Sequence, residues 1–198
     1  YNNVIRKYVI YFGTLFNGIE IDRTNSSGTV IQELRVPIHY GPRQKYLMRN
    51  DVDPNLDRQV AIQLPRMSFE MTSFNYDPER RMNPNRRIYQ AKDDTTFNLL
   101  SVYTPQPFNI GFELNIAVRN AEDGVKILEQ ILPFFTPEYT ATLKLLDDMP
   151  DLKFDVPVVF EGLTSMDQYE ADFTQRRQLI HTLQFLVKGY VFGPVKDR

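Results

Sequence analysis

Apolar residues recur along this chain with two different periods, and each change of period marks an element. Over residues 4–16, Ile5, Tyr8, Val9, Phe12 and Phe16 recur at helical spacing and predict an amphipathic N-terminal helix. Ile19 and Ile21 then alternate with Glu20 and Asp22. The turn residues Asn25-Ser26-Ser27-Gly28 separate that run from 30–40, and the pair predicts a β-hairpin with Gly28 supplying a permissive backbone. Short helices are expected over 42–50 and 57–64. Met67, Phe69 and Met71 alternate with polar residues, and the alternation then shifts phase to Phe74 and Tyr76, which predicts a bulge inside one strand. A polar, proline-broken loop follows over 77–87, a return strand starts near Ile88, and 97–103 is a further strand.

The strongest alternation is Ile110, Phe112, Leu114, Ile116 and Val118, against Gly111, Glu113, Asn115, Ala117 and Arg119 on the other face. A central helix must follow at once. Asn120 is placed to cap it, and Glu122 and Asp123 occupy the first turn, where negative charge is favoured. Val125, Leu128, Ile131, Leu132 and Phe135 form its expected buried stripe, and Pro133 its end. Strands are expected over 140–146, 154–162 and 176–192, the last with Leu179, Leu183, Phe185 and Val187 on one face. Strands do not alternate regularly with helices. The expected class is therefore α+β: a mainly antiparallel, twisted sheet with long hairpins, packed against the N-terminal and central helices.

Composition narrows the function classes. At 198 residues and 42% hydrophobic, the chain suffices for a single domain over 1–198 with its own core. A formal net charge of -2 supplies no overall basic field for nucleic acid or acidic lipid. With no cysteine, disulfides, thiolate nucleophiles and cysteine-based zinc sites are excluded. Apolar runs such as 183–187 are too short to span a bilayer, and no signal peptide is evident. The chain opens at Tyr1 rather than Met, which leaves room for residues ahead of it.

No catalytic, cofactor or metal motif emerges. There is no glycine-rich phosphate loop, no Gly-x-Gly-x-x-Gly and no Gly-x-Ser-x-Gly. His39 and His181 each fall in a predicted strand. They could meet beside a carboxylate to hold a metal or serve a hydrolase, or each could be a partly buried histidine with a satisfied hydrogen bond; the ligand spacing of metal sites is missing. The pairs Asp93-Asp94 and Asp147-Asp148 fall in expected loops and read equally well as solvated turns. Asn25-Ser26-Ser27 matches a glycosylation triplet and reads as a turn. Arg80, Arg81, Arg86 and Arg87 crowd one loop stiffened by Pro78 and Pro84, with Lys92 just beyond. That loop is either a basic projection that grips an acidic partner or a tip kept soluble by charge, and a protein partner fits the net charge better than nucleic acid. Unpaired strand edges offer a second route to association.

Taken as an ordered set, five landmarks carry a resemblance. They are Ile5-Arg6-Lys7-Tyr8 leading to Gly13-Thr14-Leu15-Phe16; Arg35-Val36-Pro37-Ile38-His39-Tyr40; Leu64-Pro65-Arg66-Met67 followed by Phe74-Asn75-Tyr76; Phe112-Glu113-Leu114 through Glu122-Asp123 to Glu129-Gln130-Ile131-Leu132-Pro133-Phe134-Phe135 and Pro137; and Arg176-Arg177 to Gly189-Tyr190 and Pro194. This series resembles the tail sheath stabiliser and completion proteins, or tail terminators, of T-even-type contractile-tailed bacteriophages, over nearly the whole chain. Larger members extend further at the C-terminus, whereas this chain stops soon after Pro194. The resemblance implies a structural virion protein at the head-proximal end of the tail, assembled in the host cytoplasm, and no catalysis. It implies a homo-hexameric ring whose partners are the tail tube protein, the sheath protein and a neck or head-completion protein, with no membrane and no sequence-specific nucleic-acid binding. A different ring-forming neck or head-tail adaptor is the alternative. Expected contact residues are Arg80, Arg81, Arg86 and Arg87, with Arg119, Arg176 and Arg177 behind them.

Overall fold

In a computed structural model, the described residues are 2–24, 30–42, 64–92, 99–168 and 178–197. Helix α1 (Val4–Leu15) leads into the hairpin β1 (Glu20–Thr24) and β2 (Val30–Arg35). Strands β3 (Ile38–Tyr40), β4 (Arg66–Tyr76), β5 (Arg87–Ala91), β6 (Leu99–Tyr103) and β7 (Gln106–Val118) follow. Helix α2 (Ala121–Ile131) runs into a 3-10 turn, Leu132–Phe134, and then come β8 (Glu138–Lys144), β9 (Lys153–Gln168), β10 (Gln178–Val191) and β11 (Lys196–Asp197).

The main sheet has six strands in the order β3-β4-β7-β10-β9-β8, antiparallel throughout except for the parallel β3–β4 pair. A small sheet, β11-β6-β5, stands beside it. The even-numbered residues of β7 from Ile110 to Val118 are all buried, as are Leu183, Phe185 and Val187 directly across from them on β10. This apolar face carries α1 and α2. Phe12 of α1 stacks on Phe112 at 4.5 Å between ring centroids and meets Phe16, Phe69 and Phe185 within 5.5 Å. Aromatic pairs of this geometry add about 0.5–1.5 kcal/mol each beyond the area they bury, so α1 is fastened to the sheet centre by phenylalanines. The α+β class and the mainly antiparallel sheet are as the periodicity indicates.

Several local expectations change. The stripe of α1 runs through Val4, Tyr8, Tyr11 and Phe12, while Ile5 is 43% exposed. The buried side of α2 centres on Asp123, Gly124, Ile127 and Ile131, and Val125 is half exposed. The cause is the close approach at Gly124, where a Cβ would lie 2.6 Å from His181 Nε2 and 3.2 Å from Val118 Cγ2. Asn120 holds the N-cap position with extended backbone but makes no side-chain cap. The strand expected over 30–40 breaks at Pro37, which has no N–H to donate. Beyond it, β3 leaves the hairpin and pairs with β4. Strand β5 does not return along β4; it pairs with β6, and β4 pairs with β7. The turn 25–28, most of the expected helix over 42–50 and of the one over 57–64, and Asp93-Asp94 lie outside the described residues.

Candidate functional site

The arginine loop, residues 77–86, is braced at one end of the main sheet. Arg80 Nε donates to Asp77 Oδ2 at 2.6 Å, and one Arg80 NH2 donates to the Phe108 carbonyl at 3.2 Å and to Asn109 Oδ1 at 2.9 Å. The same guanidinium lies 5.3 Å over the Tyr190 ring. The hydrogen bond from Arg80 holds the Asp77 carboxyl below the usual carboxylate range, with the guanidinium charge a smaller contribution. The Thr104 hydroxyl donates to the Asn83 carbonyl at 2.6 Å and the Thr104 N–H to the Arg86 carbonyl at 3.1 Å. Arg80 is thus engaged inside the subunit, whereas Arg81 and Arg86 are exposed. Arg87 opens β5, where its guanidinium stacks 4.4 Å over Tyr103 and hydrogen-bonds the phenol oxygen, which raises the Arg87 pKa. Tyr89, Leu99 and Tyr103 on β5 and β6 are 52%, 45% and 39% exposed. The result is a basic, aromatic projection of the residue types that dominate protein interfaces.

The second surface is the polar face of the main sheet. Strand β4 carries one extra residue, Thr72, between the pairs Met71↔Phe112 and Ser73↔Gly111. Strand β9 carries another, Glu161, between Gln184↔Gly162 and Phe185↔Phe160. Phe112 pairs with Phe185, so both bulges fall at one level on either side of the central β7–β10 pair. Bulges bend and twist their strands, and at this level lies a depression of about 220 Å³ lined by Thr72, Ser73, Gly111, Glu113, Glu161 and Gln184, among others. A side chain at Gly111 would run into Ser73 Oγ, so glycine lets the bulge fold over β7. Glu70 sits directly across from Glu113, an arrangement of like charges that destabilises a sheet when nothing offsets it. Glu113 accepts from Asn115 Nδ2 at 2.9 Å, and Thr182 Oγ1 donates to Asn115 Oδ1 at 2.7 Å. Among the described residues no ion pair reaches Glu70, Glu113 or Glu161.

The two histidines do not converge. His39 on β3 shares a row with Ser68, Asn115 and Thr182 on the polar face. His181 pairs with Ile116 on the apolar face, under Gly124 of α2, with Ser165 Oγ 2.7 Å from its Nδ1. Two strands lie between β3 and β10. Among the described residues no group of three or more His, Cys, Asp or Glu side chains could hold a metal ion. Asp147 pairs with Lys7 at 2.7 Å, and Asp148 is exposed. Arg119 is exposed at the far end of β7 from the arginine loop, roughly 35 Å along the strand from Asn109. Arg176 and Arg177 lie outside the described residues. None of the described helices is long and apolar enough to cross a membrane.

Comparison with known proteins supplies what side-chain chemistry alone does not. The family of T4-like virus Myoviridae tail sheath stabilisers matches the chain over residues 1–198. The chain belongs to this family. It is 30% identical over 204 residues to the tail completion protein gp15 of Enterobacteria phage T4, an alignment that spans all of this chain and 73% of that protein. The sheath stabiliser is thus a structural protein of the phage tail and not an enzyme. Its arginine loop was legible as a run of four arginines. The acidic depression was not, because Glu70, Glu113 and Glu161 lie far apart in sequence; strand register sets Glu70 across from Glu113, and Glu113 and Glu161 line one depression from either side of β10. The one local sign was the phase shift between Met71 and Phe74.

Proposed function

We propose that this sheath stabiliser closes into a homo-hexameric ring on the head-proximal end of a finished contractile tail. The ring caps the tail tube, holds the last layer of sheath and offers its outer face to a neck or head-completion protein. It assembles in the host cytoplasm. The observation that carries this reading is the match to the sheath-stabiliser family along residues 1–198, together with the likeness to a tail completion protein over the whole chain. The two surfaces described above support it: head-to-tail rings need two different patches on each subunit. One patch is basic and aromatic, and the other is acidic and concave.

The test is a mass measurement of the purified protein, alone and mixed with tail tubes, followed by electron microscopy. A species of six subunits, seated on one end of each tube, is the expected result. No ring in either sample would sink the reading. Tails assembled without the protein supply the second arm. Overlong or unstable tails are expected; complete tails that fail only to join heads would instead assign the protein to the neck.

A further inference from the structure

We propose that the subunit-to-subunit contact of this ring is made by the arginine loop and the β5–β6 face of one copy docking in the acidic depression of the next. The inference rests on the ring reading above and names the surfaces that close it. The projecting side supplies Arg81, Arg86, Tyr89 and Tyr103, all exposed. The receiving side supplies Glu113 and Glu161, which line a depression of about 220 Å³ at the paired bulges, and Glu70, directly across from Glu113 on β4.

Charge complementarity selects a second copy as the occupant. Glu70 and Glu113 face each other across β4 and β7, and no ion pair within the described residues offsets them. The same chain carries Arg81 and Arg86 without ion-pair partners among the described residues. Opposite charges placed on two unlike patches steer head-to-tail association and suppress other registers. The loop is also pre-organised. Arg80, tied to Asp77, Phe108 and Asn109, and Thr104, tied to Asn83 and Arg86, fix its backbone before any partner arrives. Little ordering entropy is then lost on docking, which favours affinity. Tyr89 and Tyr103 add rigid apolar area beside the charges, the combination that makes interface anchors.

The experiment is a charge swap in the full chain. One variant carries Arg81→Glu and Arg86→Glu; the other carries Glu70→Lys and Glu161→Lys, sparing Glu113 and its bond to Asn115. Each is checked for an unchanged thermal melt and then measured by mass photometry beside the unaltered protein. Either variant alone is expected to lose the ring, because like charges then meet at every contact. An equimolar mixture is expected to regain it as an alternating ring, since each acidic loop meets a basic depression and each basic loop an acidic one. Raised salt should weaken the unaltered ring. If the unaltered protein forms rings and either variant still does so at the same concentration, the contact is wrong while the ring reading stands. Well-folded variants whose mixture stays unassembled also overturn the contact. If the unaltered protein forms no ring alone or on tubes, the ring reading fails and the contact falls with it.

Discussion

Replacing Tyr8 by Phe tests what fastens α1 to the sheet. Strand β10 runs past the end of its pairing with β9, which stops at Val187↔Val158. Further along, Tyr190 lies opposite Pro107, which has no N–H. The Tyr8 hydroxyl fills this gap. It donates to the Tyr190 carbonyl at 2.8 Å and accepts from the Tyr190 N–H at 2.7 Å. Its ring is fully buried and lies where a Cβ on Gly189 would approach to 2.8 Å. Phenylalanine keeps the ring and removes both bonds. A fully buried orphan group costs about 1–3 kcal/mol, and Tyr190 is half-buried, so about 1 kcal/mol for each of the two backbone groups is reasonable. A loss of about 2 kcal/mol corresponds to a fall in Tm of about 4–8 °C for a chain of this size. Differential scanning calorimetry measures it directly. A Tm within about 1 °C of the parent would refute the reasoning. The same site has a pH signature. Burial raises the Tyr8 phenol well above its ordinary range and pushes Tyr11 up to about 12, with the neighbouring Tyr139 adding to the rise at Tyr11. Both fold best uncharged. Above pH 10 the unfolded chain has fewer of these protons bound than the folded one, so their stabilisation is complete below about pH 10 and lost as pH rises. Tyr8→Phe should flatten part of that alkaline loss.

Two further perturbations follow from the same geometry. Burial lowers the His181 pKa, and its Nε2 is buried without a hydrogen-bond partner. Below about pH 6.5 the unfolded chain binds the proton more readily, so stability falls with pH, and His181→Asn should reduce that acid loss when urea unfolding is compared at pH 7.5 and 5.5. An equal loss in the variant would assign the effect to other groups. Arg80→Ala removes the brace on the arginine loop. Amide exchange over 77–86 should quicken severalfold while the centre of β7 stays protected, and uniform quickening would instead indicate global destabilisation.

How much of this was legible in the sequence depends on whether the deciding contact is local. The alternation from Ile110 to Val118 sets β7 without reference to anything else, and the phase shift between Met71 and Phe74 announces the bulge that β4 shows at Thr72. The α2 stripe held at Ile131, Leu128, Leu132 and Phe135, which pack on the core, and failed only at Val125, where the deciding contact is distant. Val125 is apolar, yet the sheet approaches at Gly124, where His181 of β10 leaves no room for a side chain. Apolar periodicity favours the larger residue, while close packing favours the smaller one. Pairing failed for the same reason. Ile88 follows β4 after one loop and reads as its return strand, but β7 offers β4 a long ladder from Arg66↔Ala117 to Tyr76↔Phe108, and β5 is left to β6.

The candidate contact divides the same way. A run of arginines is visible in any reading of the chain, but which of them stays available is a tertiary question. Arg80 is bound to Asp77, Phe108 and Asn109, Arg87 lies over Tyr103, and Arg81 and Arg86 are left exposed. The acidic counterpart exists only because two bulges, Thr72 and Glu161, fall at the level where Phe112 meets Phe185. A single half-buried glutamate on the polar face of a sheet is ordinary by itself. Two facing each other on β4 and β7, with a third across β10 that lines one depression together with Glu113, form a surface with a defined charge and shape. That surface needs no catalytic group to be useful, because its specificity comes from what it repels as well as what it attracts. The proposed ring, whose copies must meet in one register and no other, is served by this arrangement.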